Sequence, residues 1–239
     1  MLRPYRDCDI EEKSVDKGTD SFCYSVIVKQ MRLSITEVIP PLAIKGVSCL
    51  LIHENRLLFG VGGKRYRRND DLSLLMGIGG HVESGESFIE TLARESLEEI
   101  GVSLSPVHSL DAFLVNDFGE IRPLQLKERP SPLIIYGMLD RRKSKQHQTV
   151  YYIVSYICKL GESPVIASSE EITALISVPR SAVREFFCSR TKLKTVLDHG
   201  GKVVAGQLSK ETILLPVGTA KALFHLLSLQ DIVIGGLAE

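Results

Sequence analysis

There is no tryptophan in this chain, and aromatic residues make up only 6% of its 239 positions. Any surface that holds a planar ligand must therefore come from tyrosine or phenylalanine, with Tyr66, Phe118, Tyr136 and Tyr151 as the candidates. Cysteine is sparse as well. Cys8, Cys23, Cys49, Cys158 and Cys188 are scattered, odd in number and without a C-x-x-C pair. That excludes a zinc ribbon or a disulfide scaffold and fits free thiols in a reducing cytoplasm. Charge of either sign is not in excess: 29 Lys and Arg balance 29 Asp and Glu. Nothing global therefore recruits nucleic acid or an anionic membrane. No apolar run approaches about 18 residues, and the first residues lack the apolar centre of a signal peptide, so neither a spanning helix nor a secretory leader is expected. Repeats and low-complexity tracts are missing too. Aliphatic residues are plentiful instead. With 44% of positions hydrophobic, the chain can build one large domain or a core with additions. The expectation is a cytoplasmic protein acting on a small molecule.

The stretch Gly80–Val102, GHVESGESFIETLARESLEEIGV, organises the rest. Ser87 with Glu90 three residues later forms a capping box, so a helix starts at about Phe88. Gly101 stands where a left-handed C-cap ends it. Glu95, Glu98 and Glu99 fall at i, i+3 and i+4 and share one face. Ile89, Ala93, Leu97 and Ile100 lie roughly opposite and are expected in the core. Arg94 is four residues before Glu98, within reach to pair with it. Converging carboxylates repel unless something neutralises them, and a hard divalent cation does so, Mg²⁺ first and Mn²⁺ second. The spacing of E-x-x-E-E alone also allows a solvated acidic face.

Taken whole, the stretch resembles the Nudix box, G-x5-E-x7-R-E-U-x-E-E-x-G-U, where U is apolar. Gly80, Glu86, Arg94, Glu95, Glu98, Glu99, Gly101 and Val102 occupy its positions. Seven fixed residues coincide by chance in well under about one window in a million. Ser96 departs from the apolar position and reads as a tolerated small residue at the border of the buried face. Just upstream, Gly79-Gly80-His81-Val82-Glu83 resembles the family's P-G-G-x-x-E run, with Ile78 in place of proline.

Flanking segments read as a sandwich core. Gly46–His53 is a buried strand, Glu54-Asn55 a tight turn, and Arg56–Gly60 the returning strand. Leu110–Asn116, Leu133–Leu139 and Gln148–Leu160 are further strands, the last a central one on its β-branched and aromatic content. Ser181–Leu197 reads as a helix, bent or straight, and Thr219–Leu229 as another. Residues 1–42 form an N-terminal extension with a strand at Phe22–Lys29, open to pairing with a second copy in a homodimer or to covering the sheet. Residues 43–180 form the core and 181–239 a C-terminal elaboration packed on it. The cluster Arg141, Arg142, Lys143 and Lys145 reads as a solvated hairpin tip.

The resemblance implies an α/β fold, an α/β/α sandwich around a mixed sheet, and hydrolysis of a diphosphate linkage in a nucleoside-diphosphate-X compound. It assigns the metal, Mg²⁺ or Mn²⁺, to Glu95, Glu98, Glu99 and the backbone carbonyl of Gly80 or Gly79. Glu86, Arg94 and Gly101 then orient the loop and helix, and His81 orients the loop. A glutamate of a later acidic loop, Glu170 or Glu171 and preferably Glu171, is the general base or an extra ligand, alongside a box glutamate such as Glu98 or Glu99. Arg65, Arg67 and Arg68 in a basic loop are candidates for substrate phosphate, because guanidinium matches phosphate oxygens bidentately. A non-hydrolytic, ligand-binding Nudix-fold protein predicts lost box carboxylates, and none is lost. Diphosphate isomerisation needs a catalytic cysteine, and Cys49 lies deep in an apolar strand. The substrate itself is open among ADP-ribose, nucleotide sugars, dinucleoside polyphosphates, coenzyme A and noncanonical nucleoside triphosphates.

Overall fold

Two apolar runs meet at Glu54-Asn55, and both residues take positive φ, 47° and 60°. This left-handed pair is the type I′ turn whose twist suits a two-residue hairpin. A computed structural model describes residues 32–63, 72–139, 150–161, 166, 170–186 and 190–228, all within one unit spanning Met31–Glu239. The Phe22–Lys29 strand, the arginines Arg65, Arg67 and Arg68, the cluster from Arg141 to Lys145, and Tyr66 lie outside the described residues.

In chain order the elements are α1 (Ile35–Val38), β1 (Ile44–His53), β2 (Arg56–Gly62), β3 (Leu72–Met76), α2 (Phe88–Ile100), β4 (Pro106–Val107), β5 (Ala112–Asn116) and β6 (Ile121–Leu124). They continue with β7 (Ile134–Leu139), β8 (Val150–Lys159), β9 (Ile172–Pro179), α3 (Val183–Phe186), β10 (Thr191–Lys192), α4 (Leu193–Asp198), β11 (Lys202–Gly206), β12 (Ile213–Pro216) and α5 (Gly218–Ser228). The main path of the sheet runs β10-β12-β3-β2-β1-β8-β7-β5-β6, with β9 also on β2, β11 on β9 and β4 on β8. Parallel pairs β1·β8, β12·β3 and β5·β7 sit among antiparallel ones, so the sheet is mixed. Pro123 falls in β6, at the end of that path, where its missing N–H costs least.

β1 positions the site. One edge runs parallel to β8 from Ile44↔Tyr151 to Ile52↔Lys159. The other meets β2 only beside the turn, at Leu51, Ile52 and His53. The rest of that edge holds the loop before α2: Cys49 N donates to Ile78 O at 2.9 Å, Val47 N to Gly80 O at 2.9 Å, and Val82 N to Lys45 O at 3.1 Å. Side chains of β1 alternate between two cores. Val47, Cys49 and Leu51 pack with Leu92 and Ile100 of α2 and with Ile35 and Ile39. Leu50 and Ile52 pack in the opposite core with Ala220, Leu223 and Leu226 of α5. The result is an α/β/α sandwich.

Two expectations fail here. Ser181–Leu197 is not one helix: a 3₁₀ turn at Arg180–Ala182 leads into α3, and Thr191-Lys192 is extended. The cause is tertiary, because Thr191 and Lys192 pair antiparallel with Leu214 and Ile213 at the sheet margin, overriding weak helical propensity in this segment. Tyr136 is fully buried and cannot serve as a platform for a planar ligand. Its hydroxyl donates to Asp117 at 2.5 Å, and Lys221 of α5 donates to the same carboxylate at 2.6 Å. That network ties α5 to the turn after β5.

Candidate metal and phosphate site

α2 begins as its sequence dictates. The Ser87 hydroxyl accepts from Glu90 N at 3.3 Å, and the Glu90 carboxylate accepts from Ser87 N at 2.8 Å. Gly101 closes the helix with φ at 70°, a conformation that costs glycine no steric clash.

The orientation of the helix differs from the expectation. Leu97 is 53% exposed, while Thr91, Leu92, Glu95, Ser96, Glu99 and Ile100 are buried. Opposing the carboxylates to the core was the error: Glu95 and Glu99 flank the inward stripe Leu92–Ser96–Ile100 and lie beneath the glycine loop. Ser96 is no border residue. It is completely buried, its Oγ accepting from Leu104 N at 2.9 Å and donating to Ala93 O at 3.2 Å. A hydroxyl thus replaces the motif's apolar contact with a tie to the following loop. Leu92→Ala is therefore expected to cost about 2–5 kcal/mol, whereas Leu97→Ala stays within about 0.5 kcal/mol. Denaturant unfolding of the two variants checks this.

Arg94 is the hub of the loop. Its Nε and Nη2 donate to the two oxygens of Glu86 at 2.8 and 3.0 Å, a bidentate fork. Nη1 donates to Glu95 at 3.0 Å and reaches Glu98 only at 3.5 Å, so the expected i, i+4 pair is longer than the bonds to Glu86 and Glu95, and Glu83 stands farther still, at 3.9 Å. Nη2 also meets the His81 carbonyl at 3.3 Å. The Arg94 guanidinium, helped by the Thr91 hydroxyl at 2.8 Å, holds the Glu86 carboxyl at about 2, well below its usual range. Sequence reasoning missed Thr91, and its position four residues after the N-cap was the available signal.

Among the described residues Glu99 has no such partner. It is 3% exposed, and one of its carboxylate oxygens accepts from Gly79 N at 2.9 Å. Burial, then the charges of Glu95, Glu171 and Glu98, push its carboxyl up to about 8. Burial likewise raises Glu95, against the opposing pull of Arg94. Glu171 stands immediately before β9 with its carbonyl accepting from Gly63 N at 2.7 Å, and its charge acts on both Glu95 and Glu99. Glu170 is exposed. Glycine is required at Gly79, and at Gly80 a side chain would displace the Glu95 carboxylate. A Cβ on Gly80 would overlap the Glu95 carboxylate, and Gly79 takes φ +142° where a Cβ would strike the Val47 carbonyl.

The donor set fits a hard cation. It comprises the carboxylates of Glu95, Glu98 and Glu99 and the Gly80 carbonyl, which keeps a second lone pair beyond its bond from Val47 N. The charge that Arg94 leaves uncompensated at Glu99 is what such an ion would neutralise. Among the described residues no three acidic, histidine or cysteine side chains already converge at ligand spacing.

A family model described as the NUDIX domain matches residues 44–192. A search of curated proteins finds no match to this chain. Similar solved structures include a MutT NUDIX hydrolase from Burkholderia pseudomallei (16% identity over 56% of this chain and 80% of that one, TM-score 0.36). A NUDIX-family hydrolase from Clostridium perfringens is also similar (15% identity, 60% of this chain, 86% of that one, TM-score 0.35). So is a UDP-X diphosphatase (15% identity, 80% of this chain, 67% of that one, TM-score 0.36). The family match covers more than half of the chain, opening on the first residue of β1 and closing on the last of β10, with every charged position of the box in place between them: this chain belongs to the Nudix family.

Proposed function

We propose that this enzyme is a divalent-metal-dependent hydrolase that cleaves the diphosphate linkage of a nucleoside-diphosphate-X compound. The observation that carries the reading is Glu99: a carboxylate buried under the Gly79–Gly80 loop, among like charges, with no cation side chain paired to it among the described residues. Glu95, Glu98, Glu99 and the Gly80 carbonyl would hold the ion, Mg²⁺ or Mn²⁺. When bound, it would supply charge neutralisation for the diphosphate and make a bound water easier to deprotonate. The chain's own residues do the rest. Arg94 and Glu86 fix the loop whose glycines let substrate phosphate approach the backbone closely. Glu171, whose charge is felt by both Glu95 and Glu99, is placed to take the proton of the attacking water. The water oxygen bonds to phosphorus, the bridging P–O bond breaks, and the second phosphate leaves with the bridging oxygen.

Arg65, Arg67 and Arg68 remain proposed phosphate contacts on their sequence position. No described helix is long and apolar enough to cross a membrane, and Cys49 and Cys158 are free buried thiols. Five scattered cysteines without a C-x-x-C pair support a cytoplasmic location for the enzyme. Its test is one panel: ADP-ribose, nucleotide sugars, dinucleoside polyphosphates, coenzyme A and noncanonical nucleoside triphosphates, each with Mg²⁺ and with Mn²⁺, products resolved by chromatography. Cleavage of a phosphoanhydride in at least one of them is expected. Binding without turnover across the panel would favour a ligand-binding role.

A further inference from the structure

A cavity of about 620 Å³ lies between the start of β1 and the loop that leads into α2. Small-molecule sites occupy about 300–1,000 Å³. Ala43 to Lys45 form one wall and the loop from His81 to Phe88 the other, with Thr36 of α1 also on the lining. All of them belong to the described residues.

The cavity stands on the side of the sheet that carries the box carboxylates. Ala43 and Val47 pack in the core shared with α2. Lys45, between them on the strand, projects to the same face. Val82 N donates to Lys45 O at 3.1 Å, two residues along β1 from the bond between Val47 N and the Gly80 carbonyl. The loop wall is tied to the same centre, because Glu86 takes the fork of Arg94 and Nη1 of that arginine donates to Glu95.

What the walls offer decides what fits. Lys45 is half-buried, and among the described residues its ammonium forms no ion pair. Glu83 brings an exposed carboxylate that reaches Arg94 only at 3.9 Å, and Ser84 brings an exposed hydroxyl. Both rings on the lining are engaged elsewhere: Phe88 packs against the core beneath α2, and the His81 ring meets that of Tyr151. A planar base therefore finds no free platform here. A second anionic group would face the carboxylates of Glu83 and Glu86. A sugar ring suits the lining better. Each of its hydroxyls both donates and accepts, which Glu83 and Lys45 can answer as acceptor and donor, and its C–H faces match the short apolar side chains of Ala43 and Val82.

We propose that this cavity is the subsite for X, that X is a sugar, and that Lys45 determines specificity for it. This deepens the hydrolase reading and rests on it for the placement of the diphosphate. A substrate held at Glu95, Glu98 and Glu99 extends its sugar along the loop into the cavity. Lys45 touches no reacting atom.

The test uses the full chain, with UDP, UDP-glucose, ADP and ADP-ribose as calorimetric probes in Ca²⁺, which keeps turnover low. Lys45→Met keeps the length of the stem and removes the ammonium. It is expected to weaken UDP-glucose and ADP-ribose about tenfold, and UDP and ADP less than about threefold. Ser84→Trp, which adds bulk to the lining, should give the same contrast, and it decides the matter alone if Lys45→Met melts early. On the sugar compound that is cleaved in Mg²⁺, Lys45→Met raises KM with kcat little changed. Equal weakening of the parent and sugar-bearing compounds would make Lys45 a phosphate contact and overturn the proposal. Unchanged binding of all four in both variants overturns it as well. Turnover of another panel member, with neither sugar compound bound by wild type, overturns the sugar subsite and leaves the hydrolase reading standing. Absence of turnover on every panel member would instead count against the hydrolase reading, since the binding contrast does not need turnover.

Discussion

Glu99→Gln is expected to lower kcat at least about a hundredfold while the protein remains folded. The amide keeps the volume of the carboxylate and keeps an oxygen for the Gly79 N–H, which now reaches Glu99 at 2.9 Å. It loses the charge that the metal requires, and preorganised electrostatics of this kind typically carry several kcal/mol, of order 3, of barrier reduction. The same substitution removes the cost of holding this carboxyl protonated, or ionised, in its buried site, so above about pH 5 the metal-free variant should melt higher than metal-free wild type. Glu98→Gln, at the exposed end of the set, should match the loss of kcat without the gain in stability. Rates at saturating substrate, with thermal melts in EDTA, read both effects. A Glu99→Gln protein with wild-type kcat would remove Glu99 from the catalytic set.

The second large effect is on stability against pH in the absence of metal. Glu99 titrates at about 8 in the folded protein, against an ordinary value of 4.5. A carboxyl raised on folding contributes stability that is complete below its unfolded value and is lost as pH climbs through its folded one. Metal-free enzyme should therefore lose stability between about pH 5 and 8, by an amount on the order of a few kcal/mol. Glu95 is raised as well and acts in the same sense. Glu86, held near 2 by Arg94, contributes stability that is lost only as pH falls below about 4.5, outside this window. Burial lowers the imidazole of His225, and burial with Arg129 lowers that of His108, so both oppose the trend below about 6.5. The clean interval is pH 6.5 to 8. Denaturant melts across it in EDTA should show a falling midpoint in wild type and a much flatter one in Glu99→Gln. Saturating Mn²⁺ should abolish the fall, because the ion takes the place of the proton. A wild-type midpoint that rises toward pH 8 in EDTA would mean that Glu99 is compensated by a group not recognised above.

What could be read from the sequence were features governed by local rules. Ser87 and Glu90 make their capping box, Gly101 takes its left-handed turn and Glu54-Asn55 its hairpin because each depends on a few neighbouring residues. The β-prone run after Val150 is central, as its composition demanded. The misreadings share a different cause. Leu97 is expected in the core because it lies roughly opposite Glu95, Glu98 and Glu99 on the helix, but the loop folded over α2 makes Glu95 and Glu99 inward residues and leaves Leu97 outside. Arg94 was paired with Glu98 by helical spacing, whereas its bidentate partner is Glu86, eight residues away and off the helix. Tyr136 looked available until Asp117 and Lys221 of α5 closed over its hydroxyl. The expected helix across Thr191 gave way to a strand because β12, more than 20 residues later, offered an edge. Each depends on contacts between segments distant in sequence, which neither periodicity nor spacing encodes.

The proposed divalent cation on the inward face of α2 is central to all of this. The most direct measurement strips the enzyme with EDTA, confirms by thermal melt that it is folded, and titrates Mg²⁺ or Mn²⁺ back while following hydrolysis of the panel substrate. The account predicts no turnover in EDTA, saturable recovery with either ion, and no recovery in Glu99→Gln. Ca²⁺ should bind but support turnover poorly, because its looser shell orients the attacking water less strictly. Full turnover by the stripped enzyme on that substrate would contradict it.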